Sequence, residues 1–307
     1  CAPVGAAAGE QVAERVEAST DKPVCICQHW SRSLNPIALR RAATSPMPVF
    51  DGTETFLTAL KMGMQRRDRR DDGPDDFSAA PEAAVLEHWQ ARLSDGAPLD
   101  ENESMDLLDA FGIGTPARGL ASSDEEVVCA AAAIGYPVVL KTAEPGILHK
   151  SDVGGVALSL ADEQALLDAY KDMASRLGPR VLIAAMAGKG VELASGIVVD
   201  PQFGPLVMVA AGGVLIELLK DRRFLLPPAG RVSARRALDS LASRVMLDGV
   251  RGAAPSDVEA VVETVARLST LASCLGDRIA ELDVNPLIAG PDGCLAVDAL
   301  VVAKPTA

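Results

Sequence analysis

Past residue 100 the apolar positions of this chain recur at two spacings, helical and strand-like, in turn. Val127, Val128, Ala131 and Ile134 share one face at helical spacing. Ser122 and Ser123 each stand three residues before a glutamate, Glu125 and Glu126, a capped start, and Gly135 is a stop. "PVVLK" follows as a buried strand, and Asp162 to Leu177 predicts a second amphipathic helix ended by Gly178. "RVLIAAMA", "VELASGIVVD" and "LVMVA" read as consecutive strands. Ser256 with Glu259 opens a long helix whose inward positions are Val258, Val262, Val265, Leu268 and Leu271. "LIAGPDGCLAVDA" closes the chain as a hairpin turning at Pro291-Asp292-Gly293. Short turns between strands favour an α+β fold of two small lobes over one doubly wound sheet.

The first 65 residues carry a different rhythm. "GEQVAERVEAS" and "NPIALRRAA" have helical patterns, and "KPVCICQHW" and "MPVFDG" are strand candidates between them. This alternation predicts part of a parallel-sheet α/β domain. "QRRDRRDDGPDDF" then crowds charges of both signs around a Gly-Pro pair, which reads as a solvated linker, and a helix from Pro81 to Leu93 leads onward. The expected organisation is a partial α/β domain at 1–65, a charged linker and connecting helix at 66–100, and a two-lobed domain at 101–307.

Composition narrows the function classes. Hydrophobic residues make up 49% and charged residues 23%, as in ordinary globular domains, but aromatics are only 3%, so Ala, Val and Leu must build the core. A net charge of −13 argues against nucleic acid as a partner, because phosphate backbones need a basic face. It leaves room for a phosphate ligand held by one lysine and backbone N–H groups. The longest apolar run, Pro205 to Leu219, is too short to span a membrane and contains Glu217. No signal-peptide pattern opens the chain, and Cys25-Ile-Cys27 lacks the spacing of a redox or zinc pair, so a cytoplasmic protein with reduced cysteines is expected. The chain opens on Cys1 in what reads as the middle of a domain, so it reads either as a fragment or as a subunit that needs a partner.

Three constellations carry candidate chemistry. Lys141 ends a strand ahead of a polar loop, where it is either a solvent-facing strand end or a phosphate ligand supported by backbone amides. In that loop His149 is either a surface histidine or a nucleophile toward a phosphoryl group, and Lys150 beside it would favour the neutral imidazole. "SDVGG" adds a hydroxyl, a carboxylate and two glycines. Asn285 and Asp298 are placed on neighbouring strands of the closing hairpin, an oxygen pair suited to Mg²⁺ if a nucleotide supplies the remaining ligands. Glu192, Glu217 and Asp221 are carboxylates in apolar surroundings, each needing a partner.

Together these segments resemble a known family. "GYPVVLK…ILHKSDVGGV", "GVELASGIVVDPQFGPLVMVAAGG", "LDGVRGAAPSDVEAVVETVARLS" and "IAELDVNPL…AVDA" follow the order of the ATP-grasp half of NDP-forming (ADP-forming) acyl-CoA synthetases. The likeness covers about residue 100 to the C-terminus and is nearest to the β subunits of ADP-forming acetyl-CoA synthetases. It implies an ATP-grasp fold of two lobes, preceded by a partial flavodoxin-like (succinyl-CoA-ligase-like) segment. The implied reaction makes acyl-CoA from a carboxylic acid, CoA and ATP through acyl phosphate and a phosphohistidine, with Mg²⁺. It further implies that Lys141 holds the nucleotide phosphates and that Asn285 and Asp298 hold Mg²⁺. Ala184, Ala185 and Met186 meet the adenine through their backbone, Glu192, Gly212 and Gly213 line the nucleotide pocket, and His149 relays the phosphoryl group. The expected partners are the two acyl-transfer substrates and a CoA-binding half in an oligomer. Two departures stand out: the family's glycine-rich segment reads Ala210-Ala211-Gly212-Gly213, and no CoA-binding domain with its own phosphorylated histidine is present, since His29 and His88 match no motif. A regulatory nucleotide-binding module without turnover and a carboxylate-amine ligase are the alternative readings. The histidine loop speaks against the second of these, because amine-joining relatives need no phosphoryl carrier.

Overall fold

A computed structural model describes residues 15, 19, 26–28, 49–71, 74–147, 150–213, 221–250 and 252–305. The chain divides into two compact units, Cys1–Pro74 and Asp75–Ala307. In the first, strands β1 (Ile26–Gln28) and β2 (Val49–Asp51) run parallel, with Ile26 opposite Val49 and Gln28 opposite Asp51. Gly52, at φ 89°, turns the chain into helix α1 (Thr53–Asp71), and the Phe50 and Phe56 rings pack 5.6 Å apart. The helix expected from "NPIALRRAA" lies outside the described residues, as does all but Arg15 and Ser19 of the one expected from "GEQVAERVEAS".

The second unit holds two antiparallel sheets, each with its own core. The smaller is built from β3 (Arg118–Ala121), β4 (Val138–Thr142), β5 (Val156–Leu160) and β6 (Val181–Ala185), in the order β3-β6-β4-β5. Helices α4 (Asp124–Ile134) and α5 (Glu163–Leu177) cover one face, enclosing Val127, Leu140, Leu166, Tyr170 and Ile183. Ser123 is the cap of α4: its Oγ accepts the Glu126 N–H, while Glu126 accepts the Ser122 N–H at 2.7 Å. Asp162 caps α5 by accepting the Ala165 N–H at 2.9 Å.

The larger sheet runs β11-β10-β7-β8-β9, with β12 also paired to β10. Its strands are β7 (Val191–Asp200), β8 (Gly204–Ala211), β9 (Arg222–Leu225), β10 (Ile279–Gly290), β11 (Gly293–Ala296) and β12 (Ala299–Ala303). Against it pack α2 (Ala83–Ser94), α3 (Glu101–Ala110), α6 (Arg231–Asp239) and the long α7 (Val258–Leu275). Val261, Val265, Leu268 and Leu271 of α7 are fully enclosed, each worth about 1.5–3 kcal/mol of apolar burial.

Several polar residues found partners that differ from the expected ones. The cap of α7 is Asp257, which accepts the Ala260 N–H at 3.0 Å, while Ser256 donates its hydroxyl to the Ala289 carbonyl. Asp75, near the end of the charge run, is not a free solvated acid. Its carboxylate accepts the N–H groups of Gly230, Val232 and Ser233 at the start of α6. Partial burial alone would raise this carboxyl, but those donors hold it below the usual range. In "SDVGG", Ser151–Val153 forms a single 3-10 turn and Gly154 ends it at φ 65°. A Cβ on Gly155 would meet Thr142 Cγ2 at 2.6 Å, so that glycine serves close packing of the loop onto β4.

Candidate functional site

Lys141 lies in β4 with its residue only 8% exposed, one of few charged groups buried in the unit. A lone buried ammonium is costly, and three oxygens satisfy this one. Its Nζ donates to Glu101 Oε1 at 2.6 Å and to the Val297 carbonyl at 2.8 Å, and lies 3.7 Å from Asp298 Oδ2. Glu101 opens α3, and its second oxygen accepts from Lys150 Nζ. The helix start is fixed by a capping box in which Asp100 accepts the Glu103 N–H and Glu103 accepts the Asp100 N–H. Asp100 also binds Arg180 at 2.8 Å, so two consecutive acids of the larger lobe hold three cations of the smaller. Beside this seam opens a cavity of about 450 Å³ bordered by Glu101, Glu144, Lys150, Arg180 and Asp298.

In β10 the alternation holds from Glu281 to Asn285. Leu282 and Val284 point into the core, which leaves Glu281, Asp283 and Asn285 on the other face. The β10–β7 ladder slips between Val284 and Leu287, setting Asn285 at the irregularity. Val284 pairs with Ala299, so Asn285 and Asp298 are the next residues along the two chains. Asp298 was expected on a strand and instead occupies the link between β11 and β12. Burial raises its carboxyl pKa; Lys141 partly opposes the shift and Glu101 adds to it. Asp283 is also raised, by burial and by the neighbouring charges of Glu281 and Asp298. A cation would relieve this crowding of acids. The side chains of Asn285 and Asp298 offer oxygen donors, the ligand type that Mg²⁺ takes. Among the described residues no group of three or more His, Cys, Asp or Glu side chains could hold a metal by itself.

The remaining expected positions lie elsewhere on the two sheets. Ala184 is buried in mid-sheet, opposite Arg118 and Val139. The N–H groups of Ala185 and Met186 bond to the carbonyls of Ala117 and Pro137, leaving the exposed Met186 side chain as the accessible part of this segment. Glu192 is exposed on β7, and its carbonyl accepts the Gly212 N–H at 2.9 Å. A Cβ on Gly212 would lie 2.5 Å from that same backbone, and Gly213 adopts φ 59° beside Glu192 Oε2. Ala210 and Ala211 are buried in β8 opposite Ala194 and Leu193. His149 and Glu217 lie outside the described residues. Asp221 is a structural anchor: it accepts the N–H groups of Ala242 and Ser243 and the Ser243 hydroxyl. Burial would raise its pKa, but these donors and Arg223 bring it below the ordinary range.

Sequence reading passed over Glu101 and Asp283. The Asp100–Glu103 spacing would have placed Glu101 at a helix start, and strand alternation from Asn285 would have pointed to Asp283.

Two lobes with antiparallel sheets, and a buried lysine of one beside Asp298 of the other, are the arrangement of the ATP-grasp class. A family profile for the ATP-grasp domain matches residues 90–303. The subunit beta of acetate–CoA ligase [ADP-forming] I from Pyrococcus furiosus is 35% identical over 230 residues, which cover 72% of this chain and 98% of that subunit. The 4-hydroxybutyrate–CoA ligase [ADP-forming] of Nitrosopumilus maritimus is 40% identical over 198 residues, covering 62% of this chain and 28% of that ligase. Among solved structures, an acetyl-coenzyme A synthetase 1 of Ca. Korarchaeum cryptofilum superimposes with a TM-score of 0.62 at 35% identity, covering 70% of this chain and 97% of that one. That structure holds coenzyme A and Mg-AMPPCP, with its phosphohistidine segment pointing towards the nucleotide binding site. The chain belongs to the ADP-forming acyl-CoA synthetase family, as its ATP-grasp half. It spans nearly all of a separate β subunit and about a quarter of the single-chain ligase.

Proposed function

We propose that this chain carries the nucleotide half-reaction of an ADP-forming acyl-CoA synthetase, which joins a carboxylic acid to CoA at the expense of ATP. In this reading Lys141 binds the phosphate chain and Asn285 and Asp298 hold Mg²⁺, which neutralises charge on the phosphates when bound. Ala184 to Met186, Glu192, Gly212 and Gly213 border the nucleoside end. A nitrogen of His149 attacks the terminal phosphorus, an N–P bond replaces the P–O bond to the leaving ADP, and the phosphohistidine serves as the carrier. The phosphoryl group then reaches the carboxylate on a CoA-binding half, giving an acyl phosphate from which the CoA thiol displaces phosphate. The CoA-binding half, the acid and CoA are the partners, in an oligomer located in the cytoplasm. Among the described residues no helix is long and apolar enough to cross a membrane.

The observation that carries the reading is the juxtaposition of Lys141 with Asp298 across the seam of two lobes, 3.7 Å apart and beside an open cavity. Lys150, the residue after His149, reaches the same seam. The test is phosphorylation by γ-labelled ATP with Mg²⁺, in the presence of a CoA-binding half from a two-subunit relative. An acid-labile, base-stable mark is expected on the wild-type chain and absent from His149→Ala. An unlabelled wild type refutes the relay.

A further inference from the structure

Glu101 has a position that a simple structural ion pair does not need. It projects from the larger lobe, its side chain is 5% exposed, and its two oxygens take one lysine each from two separate segments of the smaller lobe. An ammonium has three donors, and Lys141 already commits two of them, to Glu101 and to the Val297 carbonyl. Asp298 adds a second carboxylate at 3.7 Å. The four charged groups, two lysines and two acids, sum to zero, so the seam carries no net attraction for an anion. If Lys141 is a phosphate ligand, a nucleotide must displace or share a bond that Glu101 already makes.

We propose that Glu101 is an internal competitor of the nucleotide phosphates. It positions Lys141 and Lys150 in the nucleotide-free protein, and it keeps nucleotide affinity low enough for the product to leave. Glu101 touches no reacting atom in this scheme and acts only through the two lysines. The inference rests on the proposed role of Lys141 and names how that site is tuned. Its consequence is opposite to that of ordinary damage. Glu101→Gln keeps the shape and an acceptor oxygen but removes the charge, leaving the cluster at +1, so anions are held more tightly. Loss of a merely structural contact loosens the site and weakens binding.

The experiment is calorimetric titration of the full chain with Mg-ADP and with Mg-AMPPNP, beside the thermal melting of each variant. Glu101→Gln is expected to bind Mg-ADP about tenfold more tightly than wild type. With a CoA-binding half supplied, kcat and the KM for nucleotide are both expected to fall. Unchanged or weaker Mg-ADP binding by a folded Glu101→Gln, with wild type binding normally, overturns this proposal and leaves the function reading intact. A wild type that binds neither nucleotide overturns both. Should the Gln variant fail to fold, Glu101→Asp keeps the charge but is one methylene shorter and cannot span both lysines. It is expected to tighten Mg-ADP about threefold, and no tightening there refutes the proposal equally.

Discussion

Asp221 separates a structural carboxylate from a ligand-binding one, and Asp221→Asn tests the distinction directly. The wild-type side chain is 5% exposed and accepts three hydrogen bonds, from Ala242 N at 3.0 Å, Ser243 N at 2.8 Å and Ser243 Oγ at 2.8 Å. An asparagine retains one acceptor oxygen and points an NH₂ group at the donors served by the other. Leaving a buried donor unpaired costs about 1–3 kcal/mol, and the lost charge assistance weakens the remaining bond, for a total of about 3 kcal/mol. In a unit of this size that lowers Tm by about 6–12 °C. Urea unfolding followed by fluorescence of the buried Trp89 and by circular dichroism measures the loss. The pH dependence is fixed by sign. The folded carboxyl is held below its unfolded pKa of about 3.9, so its stabilisation is complete above that value and is lost as pH falls through the folded pKa. The gap between wild type and variant is therefore full at pH 7 and closes below about pH 4. Nucleotide affinity is expected to be unchanged. A variant as stable as wild type but unable to bind Mg-nucleotide refutes the anchor.

Two further substitutions probe the cleft itself. Gly212→Ala places a Cβ 2.5 Å from the Glu192 backbone, so the β7–β8 edge must shift, at a cost of about 1–3 kcal/mol; Mg-nucleotide binding, measured by calorimetry, is expected to weaken with it. Asp298→Asn is expected to do the reverse to stability and the worst to function. The folded carboxyl is raised, so its ionised form destabilises the fold above the unfolded pKa, and the amide is expected to raise Tm at pH 7 but not below about pH 4. The same variant should lose the Mg²⁺ dependence of ADP binding, a drop of at least about tenfold, and full retention of that dependence rules Asp298 out as the metal ligand.

The two-lobed architecture was legible because its elements announce themselves locally. Apolar periodicity and glycine stops delimit α4 and α5, and the run from Val191 to Ala211 alternates or stays apolar as buried antiparallel strands do. Lys141, Asn285 and Asp298 stood out as polar residues inside apolar segments. What failed to show was anything settled by a distant partner. Ser256 and Asp257 are both competent caps, and the choice was made by the Ala289 carbonyl, which takes the serine hydroxyl. Asp221 finds its donors some twenty residues along the chain, at Ala242 and Ser243. Glu101 sits in "LDENES", a run whose acids look solvated, and only the fold brings it under two lysines.

That last case also shows why the acid belongs there. In the proposed function Lys141 serves a phosphate, and without one an unpaired buried ammonium costs several kcal/mol. The chain therefore has to supply an anion of its own at that point. A carboxylate on β4 or its loop would belong to the same lobe as Lys141. Placed at the start of α3, within the core of the larger lobe, it instead stays with Asp298 and the Val297 carbonyl. Lys141 is then set relative to the opposite wall, and Asp100 reinforces the seam one residue away through Arg180. The arrangement that satisfies a buried cation is thus also the one that fixes the distance across the cleft. Shortening or neutralising the acid at position 101 should be felt in nucleotide affinity before it is felt in the fold of either lobe.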